Sequence, residues 1–189
     1  MTDESDLDPE TSPSYAVWVV LPVAVVMALL LLLLATRDPS TEREARSQLL
    51  GELAPDVAGP TVDGHEFAID DQRGRWVVVN FFSTTCIPCI EEHPELIAFQ
   101  ERHEVEGDAT VVSIAFDDSP ARVAGFFAAN GGDWPVLVED TGGIAVRYGV
   151  TGVPESYLVA PTGVVAAKFI GGLRADDLDE QIDRLQGGT

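Results

Sequence analysis

The two cysteines of this chain sit together in Cys86-Ile87-Pro88-Cys89, directly after the apolar run Val77-Val78-Val79-Asn80-Phe81-Phe82. Such a run reads as a strand buried on both faces, and the residues that follow the cysteines read as a helix. A dithiol at a strand-to-helix junction is suited to thiol-disulfide exchange, because the helix start offers unpaired N–H groups and the positive end of the macrodipole to a thiolate. Cys86 is therefore the expected nucleophile. Cys89, one turn on, is the expected resolving thiol that attacks the mixed disulfide. Pro88 lacks an N–H that the first turn leaves unpaired in any case, so it fixes φ at little cost.

Two simpler uses of the pair fit less well. A structural disulfide across a two-residue spacer closes a tiny loop and gains little entropic stabilisation. A zinc site needs about four ligands, and beyond the pair the sequence offers His65, His93 and His103 with no second cysteine pair. No metal is expected, and no cofactor beyond the redox-active cysteines themselves.

The chain has 189 residues, enough for one domain with a core plus an appendage. Residues 15–35 are the appendage: Ala16 to Ala35 contains no charged residue, and at the helical rise this length spans the roughly 30 Å of bilayer hydrocarbon. It is longer than a usual signal-peptide core and no basic residue precedes it, so an uncleaved anchor is expected, kinked at most by Pro22. Residues 1–14 form an acidic tail expected to be disordered. Residues 36–50 form a charged linker in which Thr41-Glu42-Arg43-Glu44 resembles a capping box. Residues 51–189 form the globular domain.

The formal charge is −21, from 32 acidic and 11 basic residues, with Lys168 the sole lysine. No basic face can be assembled, which excludes nucleic acid as a partner. Within the domain, Val57–Ala58 and Phe67–Ile69 flank Asp63-Gly64 as a leading hairpin, and Trp76–Phe82 and Ala109–Phe116 read as buried strands. Between these two strands a helix is predicted over Ile87–His103, interrupted by Pro94, which makes strand, helix, parallel strand. Asp118-Ser119-Pro120 starts a helix to about Asn130 that Gly131-Gly132 ends. Pro135–Val138, Gly143–Tyr148, a hairpin of Ser156–Val159 with Val164–Ile170, and a final helix Ala175–Leu185 complete an α/β domain with a central mixed sheet.

The segments APDVAGPTVDGHEF, NFFSTTCIPCIEEHPEL and GVTGVPESYLVAPTG, three separate motifs in the right order, resemble the membrane-anchored thioredoxin-fold reductases of the TlpA, ResA and CcmG/DsbE group. The resemblance covers about Ala54 to Leu185. It implies a thioredoxin-like fold and roles for particular residues. Glu92 matches an acidic residue three positions after the second cysteine, where a partly buried carboxylate could exchange a proton with Cys89; its alternative is a solvated helix-face glutamate. Pro94 matches the proline that kinks the active-site helix. Pro154 matches a cis-proline facing the cysteines, with the Val153 backbone free to pair with a substrate segment. Glu155 matches part of a substrate-facing acidic groove.

Two positions depart from the pattern. Thr85 stands where the family usually has Trp, which alters the apolar, substrate-facing surface beside the cysteines. Asn80 stands where thioredoxins proper keep a buried Asp, which leaves Glu92 more of the proton transfer.

The arginines at 37, 43 and 46 follow the anchor, so the positive-inside rule alone would put the domain in the cytoplasm. The resemblance implies the opposite side, and acidic neighbours weaken the arginine signal. The expected protein is a membrane-tethered thiol-disulfide oxidoreductase on the extracytoplasmic side, fed by a membrane thiol-relay electron donor. Its expected substrate is a protein disulfide, with apocytochrome c in cytochrome c maturation as the case in view. A peroxiredoxin-like thiol peroxidase is a rival, although Val79 and Ser83 replace the Pro and Thr of Pro-x-x-x-Thr-x-x-Cys. A copper-delivery or binding module on the same fold is another, although it would want a three-residue spacer and a later His.

Overall fold

The computed structural model describes residues 15–35 and 48–187, and the chain divides into two units, residues 1–38 and 39–189. The first contains helix α1, Tyr15–Ala35, with no acidic or basic residue and with Pro22 inside it. Among the described residues, no helix is long and apolar enough to cross a membrane. The acidic tail and the capping-box segment at Thr41 lie outside the described residues.

The second unit begins with the antiparallel hairpin β1 (Ala58–Pro60) and β2 (Glu66–Ala68), followed by a 3-10 turn at Ile69–Gln72. Strand β3, Trp76–Phe82, is buried at every position, as expected for a run apolar on both faces. It leads into α2 (Ile87–Glu104) and then β4 (Ala109–Ala115), which pairs parallel to β3. Helix α3 (Pro120–Asn130) starts with the Ser119 hydroxyl accepting from the Arg122 N–H and with proline at its first position. Strand β5 (Val136–Leu137), helix α4 (Thr141–Tyr148), the hairpin β6 (Glu155–Val159) and β7 (Val165–Ile170), and α5 (Ala175–Gly187) follow.

The sheet order is β5-β4-β3-β6-β7, with β3 parallel to β4 and antiparallel to β6, so it is mixed. Strand alternation divides the core. Trp76, Val78 and Phe82 pack with Leu96 and Phe99 of α2 and with Leu178 and Ile182 of α5. Val77, Val79 and Phe81 pack on the other face with Phe67, Ile144 and Tyr148. The β6–β7 turn needs its glycine: Gly163 has φ +85°, and the Arg73 guanidinium occupies the place of a Cβ.

The elements match the sequence expectations closely, and the differences are local. α4 begins at Thr141, because Asp140 in the left-handed region starts the turn before the glycines. β6 begins one residue earlier than expected, with Glu155 paired to Phe81 and Ile170.

Candidate functional site

Cys86 is the N-cap of α2, with φ −85° and ψ 112°, and it forms a disulfide with Cys89 across a Cα–Cα distance of 5.2 Å. The Cys89 N–H points at Cys86 Sγ from 3.3 Å. In the reduced protein this amide and the helix end would stabilise a thiolate on Cys86. Cys86 is half-buried, whereas Cys89 is 4 % exposed. The sulfur open to attack is thus the one at the helix start. Pro88 follows in the first turn and is exposed, and Pro94 lies within α2 without ending it.

The Val153 carbonyl oxygen lies 3.6 Å from Cys86 Sγ, and the Val153–Pro154 peptide is cis. A disulfide sulfur carries no hydrogen, so in this oxidised state the approach is a contact; a Cys86 thiol could donate across it. The Gly171 N–H donates to the Pro154 carbonyl at 2.9 Å, which fastens the loop to the end of β7. Thr85 is exposed, and apolar surface adjoining the cysteines comes from Ile87 and Ile90, 69 % and 41 % exposed.

Glu92 is not a solvated helix-face residue. It is 2 % exposed, one turn from Cys89 on the same helix, while its neighbour Glu91 is exposed. Asn80 Nδ2 donates to its Oε1 at 2.8 Å, and the Leu173 N–H donates to Oε2 at 3.2 Å. Burial pushes the Glu92 carboxyl up to about 7, against the pull of those two donors. Its wall faces a cavity of about 620 Å³ that Pro88, Glu91, Glu95, Gly172 and Leu173 also line. Asn80 in turn accepts from Ser113 Oγ at 3.2 Å, and Trp134 Nε1 donates to that hydroxyl at 2.9 Å. This chain of bonds fixes the Asn80 amide so that its NH₂ faces Glu92.

Glu155 does not stand in the acidic groove that the resemblance implies. Its carboxylate does not line a substrate groove: it is 1 % exposed on the opposite face of the sheet from Glu92 and pairs with Lys168 Nζ at 2.7 Å. The alternation of β6 places it on the face of Phe81 and Tyr157, where burial of an unpaired carboxylate would be costly and Lys168 offsets that cost.

Asp118 is a site residue that sequence reasoning treated only as part of a helix start. Its buried side chain accepts from the Thr84 N–H at 2.7 Å, Thr84 Oγ1 at 2.6 Å and Ser83 Oγ at 3.2 Å, which ties down the loop leading to Cys86. Arg122 Nε and the Ser119 N–H complete its shell at 2.8 and 2.7 Å. Burial opposes ionisation of Asp118, but the Thr84 and Arg122 bonds outweigh it and hold the carboxyl well below its ordinary range. The available signal was the run Ser83-Thr84-Thr85 facing Asp118 across two parallel strand ends. His93, also on α2, is buried among Phe126, Phe127 and Trp134 and donates from Nε2 to the Gly131 carbonyl at 2.9 Å. Burial lowers its basicity.

The sequence pattern of the AhpC/TSA family matches residues 50–168. Among curated relatives, the thiol:disulfide interchange protein HelX of Rhodobacter capsulatus is 31 % identical over 121 residues, which cover 64 % of this chain and 66 % of HelX. The thiol-disulfide oxidoreductase ResA of Bacillus anthracis is 25 % identical over 136 residues, covering 72 % of this chain and 78 % of ResA. Among solved structures, a putative thiol:disulfide interchange protein DsbE from Chlorobium tepidum superposes with a TM-score of 0.65 at 28 % identity, covering 72 % of this chain and 96 % of that one.

Proposed function

The chain belongs to the AhpC/TSA family and is a thiol-disulfide oxidoreductase, and from that premise we propose that it reduces protein disulfides outside the cytoplasm while tethered to a membrane. The observation that carries the reading is the pairing of an accessible Cys86 at the start of α2 with a buried Cys89 one turn from a buried Glu92. The 21-residue charge-free α1 supports the tether.

In the reduced enzyme, the Cys86 thiolate attacks one sulfur of the substrate disulfide and forms a mixed disulfide, and the other substrate sulfur leaves as a thiolate that takes up a proton. The Glu92 carboxylate takes the proton of the Cys89 thiol, and the Cys89 sulfur attacks Cys86 Sγ. The Cys86–Cys89 disulfide forms, and the second substrate sulfur departs and is protonated. The substrate gains two electrons and two protons, and the enzyme dithiol loses them. The cysteine pair itself carries the electrons. The proton that Glu92 takes up passes to solvent before the next cycle, and the cleft that Glu92 helps to line is the proposed exit. Re-reduction outside the cytoplasm requires a membrane thiol relay. The substrate proposed for such a tethered reductant is an apocytochrome c, whose haem site is a Cys-x-x-Cys-His.

A Cys89→Ala variant expressed at full length is expected to accumulate mixed disulfides through Cys86, and mass spectrometry of the captured proteins identifies the substrates. Recovery of no mixed disulfide, with Cys86 still alkylatable, would remove the reading. Membership of the AhpC/TSA family keeps a peroxidase in view, and peroxide consumption by the wild-type protein with a dithiol reductant is the assay that would establish it.

A further inference from the structure

The Glu155–Lys168 pair lies on the sheet face away from Glu92, where the proton transfer proposed above does not use it. Its contacts nevertheless lead to Cys86. Glu155 Oε1 accepts from the Thr151 N–H at 3.0 Å and from Thr151 Oγ1 at 2.7 Å. One carboxylate oxygen therefore closes the loop from Thr151 to Glu155, and that loop contains the Val153 carbonyl that meets Cys86 Sγ. Glu155 Oε2 also lies 3.3 Å from Tyr157 Oη, but that hydroxyl has one proton and directs it to the Tyr148 carbonyl at 2.6 Å. Lys168 is thus the donor that holds Oε2, with its ammonium 5.0 Å from the Tyr157 ring centre. Lys168 is the sole lysine of a chain with 32 acidic residues, and it is spent on this buried carboxylate.

We infer that Glu155, held by Lys168, is a positioning residue that sets the Thr151–Pro154 loop against Cys86 for docking of a protein substrate segment. The inference rests on the protein-disulfide reading above. A docked segment needs the loop backbone in a fixed place, whereas a small disulfide needs only the Cys86 sulfur. Loosening the loop therefore separates the two kinds of substrate. A pair that served stability alone would leave both rates of the folded enzyme unchanged.

The test uses the full chain in detergent micelles, reduced, with insulin as the protein disulfide and dithiodipyridine as the small one. Glu155→Gln is expected to raise KM for insulin about tenfold, the effect of weakening hydrogen bonds to a charged acceptor, with kcat and the dithiodipyridine rate within about twofold of wild type. Thr151→Val keeps the side-chain shape, removes only the hydroxyl donor at an exposed position, and is expected to raise the insulin KM about threefold. Equal losses towards both substrates in both variants, or an unchanged insulin KM in both, would overturn the positioning role. A wild-type enzyme that reduces dithiodipyridine but not insulin would instead overturn the protein-disulfide reading, and the positioning role with it. If Glu155→Gln does not fold, the Thr151→Val result decides the matter by the same criteria.

Discussion

Glu92 and Glu155 are buried alike, at 2 % and 1 % exposure, but they lie on opposite faces of one sheet and their carboxyls shift in opposite directions. Burial pushes Glu92 up to about 7, because its donors, the Asn80 amide and the Leu173 N–H, are neutral. Burial pushes Glu155 up as well, but the Lys168 ammonium and the two Thr151 donors outweigh it and hold the carboxyl below its ordinary value. The counter-charge, more than burial, decides which carboxyl can exchange a proton near neutral pH. The face with the neutral shell carries the cysteines. The face with the ion pair carries the loop that meets them.

The contrast breaks most visibly if the counter-charge is removed. Lys168→Met leaves Glu155 buried without its cation, and the domain is expected to lose about 4 kcal/mol. Adding Glu155→Gln to Lys168→Met should restore a large part of that loss, since neutrality returns; urea denaturation of the three proteins checks both statements. A double variant no more stable than Lys168→Met would mean that packing, and not charge, holds this face.

Glu92 sharpens the contrast through pH. Its folded value of about 7 lies above the ordinary 4.5, so its contribution is fully present below about pH 4.5 and is lost as pH rises through 7. Over that window the wild-type protein should lose about 3 kcal/mol that a Glu92→Gln variant does not lose. Glu155 has the opposite sign: its contribution is present above the ordinary carboxylate range and is lost as pH falls through its depressed value. His93 and His103 titrate in both proteins, so the difference between wild type and Glu92→Gln isolates the one carboxyl. Parallel stability curves from pH 4.5 to 7 would place the Glu92 proton elsewhere. Glu92→Gln can accept from Asn80 but not also from the Leu173 N–H, so its curve lies lower while still lacking the slope.

The smallest effect concerns the loop before Cys86. Asp118→Asn keeps an acceptor for the Thr84 N–H but removes the charge facing Arg122, and is expected to cost about 1 kcal/mol and to raise the pKa of the reduced Cys86 thiol through a looser helix start. The pH dependence of alkylation reads the second quantity. An unchanged alkylation profile would confine Asp118 to stability.

Much of this architecture was legible in residue order. Trp76–Phe82 is a strand with the expected ends because every residue in it can be buried and no breaker interrupts it. Ser119-Pro120 and Gly149 mark helix ends through capping and left-handed backbone chemistry that act locally. The cysteine pair was legible for the same reason: its chemistry depends on a helix start only one residue away. The place of Glu155 is not legible locally, because it depends on a partner thirteen positions on, across a hairpin. A lysine inside the apolar run Val164–Ile170, opposite a glutamate at the start of the neighbouring strand, was the visible hint. The role of Asp118 is hidden in the same way, since the Ser83–Thr84 loop reaches it only when β3 and β4 lie side by side.

By itself the sequence determined what acts over a few residues: the helix starts and stops, the buried strands, the dithiol and which of its sulfurs stands at the helix end. Only the tertiary structure decided what depends on burial and on distant charge. It placed Glu92 among neutral donors beside Cys89 and Glu155 against Lys168 on the other face, and it brought the Val153 carbonyl to Cys86. The reason is physical: periodicity and capping are short-range, whereas desolvation and ion pairing depend on every group that folding gathers around a carboxylate.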